Sequence, residues 1–212
     1  DQLEKAIERL SAFPNDRRTV VSMWDPREDL VTTNDGKDYP CNTQIFFSER
    51  NGDLNMTVIN RSNDMIWGAY GANAVHMSVL LEYMAARLEL GIGTYYQVSN
   101  NLHAYVEQLD KLKGLVPEFE NYLTIGENQL SYNPPPLVDD HTCFDEELQE
   151  FFENENKSNY KNSYLQKTAV PMKKSWGFWK SKEIDKAIKE AEKIEDNAWR
   201  IACVEWLQRR KT

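Results

Sequence analysis

The run TQIFFSERNGDLNMTVIN, residues 43–60, constrains the fold more than any other stretch of this chain. Apolar, aromatic and β-branched residues stand on both sides of Asn51-Gly52, as in two strands that border a core. An Asn-Gly pair supplies the two positive-φ residues that a tight hairpin turn needs. Two long antiparallel strands are therefore predicted, and other elements must cover one face of the pair.

Candidates for that cover lie on either side. DQLEKAIERLSAF carries Leu3, Ile7 and Leu10 at helical spacing and stops at Pro14. AVHMSVLLEYMAARLEL, residues 74–90, is apolar on most faces and predicts a buried helix capped by Gly91, with His76 inside. RRTVVSMW and IGTYYQVS read as further strands. HAYVEQLDKLK reads as a helix with Val106, Leu109 and Leu112 turned inward. DPREDLVTTNDGKDYP is a polar loop, and RSNDMIWGAYGAN is a glycine-punctuated turn. The mixture predicts an α/β fold, a mixed β-sheet with flanking helices.

After Gly114 the character changes. NPPPLVDD predicts a stiff connector, and an acidic stretch runs on through Glu155. Residues from Ser181 onward show amphipathic spacing for one helix or two in series. The expected division is 1–114 as the core and 115–212 as a connector with a helical extension packed on it. Trp176, Trp179, Trp199 and Trp206 are expected to pack the late helices.

Bulk properties narrow the function. At 212 residues and 41% hydrophobic, the chain is long and apolar enough for a real core. A formal charge of −9 disfavours a general nucleic-acid or membrane surface. Three widely spaced cysteines without a CxxC pair disfavour a disulfide framework or a metal site and predict a reducing, cytoplasmic setting. No apolar run reaches the ~20 residues of a membrane span.

Several groups share one chemical sense. Arg17, Arg18, Arg61 and Ser62 offer guanidinium forks and a hydroxyl, suited to a phosphate monoester. Cys41 follows Pro40 at the edge of a strand, where neighbouring cations would favour its thiolate. Asn73 offers an amide donor and acceptor side by side, suited to a pyrimidine edge. His103 and Tyr105 can bind a hydroxyl. Cys143 and Cys203 read as structural. A free cysteine taken alone is more often a core residue, and it is the combination that points to chemistry.

NDRRTVVSMWDP, YPC, the run RSND followed by Gly68 and Asn73, and NLHAY stand in the order found in thymidylate synthases and pyrimidine hydroxymethylases. The chain resembles a divergent, phage-type branch of that family over roughly residues 1–112. The resemblance implies that Cys41 adds to C6 of a pyrimidine nucleoside monophosphate, which makes C5 nucleophilic. It implies that Arg61 and Ser62 bind the phosphate and that Arg17 and Arg18 reach a partner's phosphate across a homodimer. It implies that Asn73 reads the base, that His103 and Tyr105 hold the sugar hydroxyl, and that Asp64 supports catalysis. Asp64 and Gly68 would contact 5,10-methylenetetrahydrofolate, the one-carbon donor. No metal, direct nucleic-acid contact or membrane is implied, and a viral member would act in the host cytoplasm.

The implied activity is one-carbon transfer to C5, with methylation of dUMP first and hydroxymethylation of dUMP or dCMP as the alternative. A non-catalytic nucleotide-binding homologue is the reading from outside the enzyme class. Asn42 stands where the family usually has histidine, and Asn101 where it has aspartate. The Gly68–Asn73 segment is one residue longer than usual, so base reading by Asn101 or by backbone groups stays open. The family's N-terminal segment and its short C-terminal tail are not seen in this chain.

Overall fold

The computed structural model describes residues 1–30, 39–113, 135–154 and 157–211. The chain forms two compact units, Asp1–Leu130 and Ser131–Thr212. The boundary expected near residue 114 and the start of the proline connector lie outside the described residues.

The first unit is built on the hairpin. Strands β2 (Asn42–Arg50) and β3 (Asp53–Asn60) pair antiparallel, with Phe46 opposite Thr57. Asn51 and Gly52 take φ of 58° and 88°, as a tight turn requires. Strand β1 (Val20–Ser22) adds antiparallel to β2. The chain leaves β3 through β4 (Asn63–Asp64), a wide π-type turn (Met65–Ala69) and helix α3 (Ala72–Arg87). (Helix α1 is Gln2–Ala12, and α2 is one turn at Pro26–Asp29.) It returns as β5 (Gly91–Ser99), parallel to β3, giving the order β1-β2-β3-β5. A short β6 (Leu102–His103) pairs with β4, and α4 (Val106–Leu112) follows. The sheet is mixed and flanked by helices, as expected.

The core lies on one face of this sheet. Ile45 and Phe47 of β2 and Leu54, Met56 and Val58 of β3 meet Ala6, Ile7 and Leu10 of α1 and Met77, Leu81, Met84 and Ala85 of α3. Each large apolar side chain removed from water contributes about 2 kcal/mol. The other face carries Val20, Phe46, Ile92, Tyr96 and Val98, all exposed.

Four local expectations are corrected. Helix α3 is buried along one stripe only; Val75, Val79 and His76 face outward, because only that stripe meets the sheet. Its end is made by Glu89 at φ 55°, with Leu90 N–H donating to Ala85 O at 2.9 Å and Glu89 N–H to Ala86 O at 3.1 Å. Gly91 instead opens β5. Val106, Leu109 and Leu112 are exposed, and α4 buries nothing among the described residues. The DPRED stretch is the helical turn α2 instead of loop throughout.

The second unit is helical: α5 (His141–Glu153), a π turn (Leu165–Ala169), α6 (Val170–Lys180), α7 (Ile184–Ala191) and α8 (Asn197–Gln208). The late amphipathic stretch is thus two helices. Ala187, Ala191, Ile194 and Leu207 form its core with Met172, Phe178 and Trp179. Trp179 sits between Trp176 and Trp206, at 4.7 and 5.0 Å. Buried Asn162 ties the entry to α6, donating to Leu137 O at 3.0 Å and accepting from Leu165 N–H at 2.8 Å.

Candidate active site

Cys41 sits immediately before β2 and is exposed. Its carbonyl accepts from Arg61 N–H at 3.0 Å. The Arg61 side chain doubles back on the same segment, with Nε donating to Pro40 O at 3.0 Å and Nη2 to Tyr39 O at 3.2 Å. Its guanidinium also lies 5.5 Å from the ring centroid of Trp24. A guanidinium has five N–H donors, so donors remain for an anion. The clamp fixes the backbone that carries the thiol. Cys143 and Cys203 lie in the second unit, and burial pushes both of their thiols up.

The next groups converge because β3 and β5 end together. Asn60 is opposite Asn42 in one register and Ser99 in the other. Beyond them, Asn63 N–H donates to Asn101 O at 2.8 Å, and Asp64 pairs with His103 across β4 and β6. Asp64 caps the π turn, accepting from Ile66 N–H at 3.0 Å and Trp67 N–H at 2.5 Å. The π turn leads the chain into α3, whose first turn carries Asn73. Asn73 is half-buried and donates to Asn63 Oδ1 at 3.0 Å. His103 packs edge-on against exposed Tyr105 at 5.4 Å. Ser62 is half-buried beside Arg61.

Buried polar atoms without a partner among the described residues gather here: Asn42 Oδ1, Asn60 Oδ1, Asp64 Oδ2 and His103 Nδ1. Buried polar groups are ordinarily satisfied. Four around the strand ends mark the region as built for more than packing, while Tyr95 OH lies further back, on the core side opposite Met56. Burial also pushes the Tyr95 hydroxyl up.

Sequence reasoning missed the amides behind this surface. Asn60 and Asn63 are buried, and Gln97 and Ser99 complete the set through hydrogen bonds. Their signal was present: amides and a serine occupy inward positions at the ends of β3 and β5, where alternation calls for apolar residues.

Arg17 and Arg18 do not join this group within the chain. Val20 pairs with Phe46, so Cys41, five residues before Phe46, lies about 17 Å from the start of β1. Arg18 is bound to Asp16 through Nε at 3.3 Å, with its side chain 80% exposed. Asp16 also accepts from Arg9 at 2.7 Å and Thr19 at 2.9 Å, and the Arg9 guanidinium holds its carboxyl well below the usual range. Residues 12–18 line an open cleft of about 550 Å³.

The thymidylate synthase family model matches residues 1–160. This chain belongs to the thymidylate synthase family. A deoxyuridylate hydroxymethyltransferase of Pseudomonas phage M6 is 40% identical across 100% of this chain and 63% of its own length. One of Bacillus phage SP01 is 43% identical over 65% of this chain and 38% of its own length. A putative thymidylate synthase of Methanocaldococcus jannaschii is 37% identical, covering 58% of this chain and 56% of that protein. The thymidylate synthase of T4 phage, a solved structure, matches 56% of this chain and 40% of its own at 29% identity, with a TM-score of 0.48. The chain therefore spans less than two thirds of the first two phage relatives.

Proposed function

We propose that this member of the thymidylate synthase family takes part in folate-dependent one-carbon transfer to C5 of deoxyuridylate, with a hydroxymethyl product. The observation that carries the reading is the exposed Cys41 thiol, set on a segment that Arg61 clamps by three hydrogen bonds. A rigidly placed thiolate adds to C6, and the electron pair moves to C5, which becomes nucleophilic. Arg61 and Ser62 take the phosphate, Asn73 the base, and His103 with Tyr105 the sugar hydroxyl. Methylenetetrahydrofolate supplies the one-carbon unit. The buried, unpartnered Asp64 Oδ2 fits an amide-rich pterin edge.

Hydroxymethylation is placed ahead of methylation because two phage relatives are deoxyuridylate hydroxymethyltransferases. A hydroxymethyl product keeps the oxidation level of the methylene unit and takes its oxygen from water. A methyl product needs a hydride in addition. The archaeal relative named as a putative thymidylate synthase favours that second reading.

A homodimer supplies what one chain separates. The uncovered sheet face, with Phe46, Ile92, Tyr96 and Val98, is a self-complementary surface for a two-fold partner. Such pairing would carry exposed Arg17 and Arg18 to the partner's phosphate. Three free cysteines fit a reducing cytoplasm.

The test is covalent trapping. The full-length protein with 5-fluoro-dUMP and methylenetetrahydrofolate is expected to form a stable adduct at Cys41, absent in Cys41→Ala. A label on Cys143 or Cys203 would reject the assignment. The mass of the product formed from dUMP separates hydroxymethyl from methyl.

A further inference from the structure

Asn73 can face a base in either of two orientations, because its amide carries a donor at one end and an acceptor at the other. The choice decides which base it matches. Uracil presents a donor at N3 and an acceptor at C4; cytosine presents the reverse. An amide free to flip would accept both.

The hydrogen bonds behind Asn73 remove that freedom. Their polarity starts at a group with only one possible role, the backbone carbonyl of Ala69, which can only accept. Gln97 donates to it through Nε2 at 3.3 Å, which turns Gln97 Oε1 toward Asn60 and Asn63. Oε1 then receives Asn60 Nδ2 at 3.2 Å and Asn63 Nδ2. Asn63 Nδ2 also donates to Ser99 Oγ at 3.0 Å. With its NH₂ committed, Asn63 presents Oδ1 to Asn73, and Asn73 donates to it at 3.0 Å. Flipping Asn73 would set two carbonyl oxygens against each other. Gly68 makes room for this contact, since a Cβ there would overlap Asn63 Oδ1 and crowd Asn73 Nδ2.

We infer that Gln97 and Asn63 are positioning residues that lock Asn73 in one orientation and thereby set the choice between uracil and cytosine. The inference rests on the pyrimidine reading above and deepens it. With deoxyuridylate as substrate, Asn73 keeps its remaining N–H for O4 and its Oδ1 for N3–H. A base of reversed pattern leaves both ends unpaired, which is worth about tenfold or more in affinity.

Binding of dUMP, dCMP and the base-free 2-deoxyribose 5-phosphate to the full-length protein tests this by calorimetry. Wild type is expected to prefer dUMP by about tenfold or more. Asn63→Ala and Gln97→Met free the Asn73 amide and should close most of that gap while leaving base-free binding unchanged. Asn63→Asp keeps the acceptor facing Asn73 and should retain the preference. An undiminished preference for dUMP in both Asn63→Ala and Gln97→Met overturns the inference. Loss of base-free binding in both overturns it too, since the amides would then be holding the fold. If wild type binds dUMP no more tightly than the base-free compound, the pyrimidine reading itself fails.

Discussion

Where β2 begins and β3 and β5 finish, neutral amides buried from water surround the segment that carries Cys41. At the other end of the sheet, where β1 begins, the groups are charged, and Arg17 and Arg18 face solvent. The difference is one of physical job. Amides have direction without net charge, so a buried chain of them can impose a hydrogen-bond polarity at low desolvation cost. Exposed guanidinium groups have charge and reach, which suits an anion arriving from outside.

The largest effect expected from breaking this contrast is all-or-none. Arg18→Ala and Cys41→Ala subunits should each be nearly inactive. Mixed in equal amounts and allowed to exchange, they should regain about a quarter of wild-type sites, because a two-fold hybrid holds one intact site. No recovery on mixing would place both groups in one subunit's site or remove Arg18 from it.

Gly68→Ala attacks the amide end alone. Its Cβ has no room beside Asn63 Oδ1. Overpacking of this kind costs about 1–3 kcal/mol. A lower thermal midpoint together with a weakened preference for dUMP is expected; a variant that melts lower with selectivity intact would confine Gly68 to packing.

Lysine in place of Val98 probes the surface that would join two copies. One cation per subunit on an apolar two-fold face should raise the dimer dissociation constant, by about tenfold. Sedimentation at several concentrations reads this, and an unchanged association state would move the interface elsewhere.

The smallest effect is acid sensitivity at the charged end. The carboxyl of Asp16 is depressed first by hydrogen bonds from Arg9, against the opposing effect of burial, with help from Thr19 and Arg18. A depressed folded-state value contributes stability that is complete above the ordinary carboxylate value of about 3.9 and is lost as pH falls below it. Wild type and Asp16→Asn should therefore differ most near neutral pH and converge in acid. A difference independent of pH would trace the role of Asp16 to packing.

Much of this protein could be read along the chain. Asn51-Gly52 between two strand-forming runs determined the β2–β3 hairpin, because turn conformation and strand propensity are local properties. Leu3, Ile7 and Leu10 determined the inner stripe of α1, and YPC with RSND pointed to one strand edge and the residues beside it. Other features are not local. Periodicity shows that α3 and α4 have apolar faces, but not what covers them, so the exposure of His76, Val106, Leu109 and Leu112 is not legible along the chain. The separation of Arg17 and Arg18 from Cys41 follows from the β1–β2 register alone. The orientation of Asn73 follows from Gln97, which lies 34 residues beyond Asn63 and meets it only because β5 runs parallel to β3. Residue types and their order fixed which chemical groups were available; tertiary pairing decided which of them meet and which way each amide faces, because a hydrogen bond takes its direction from its partner.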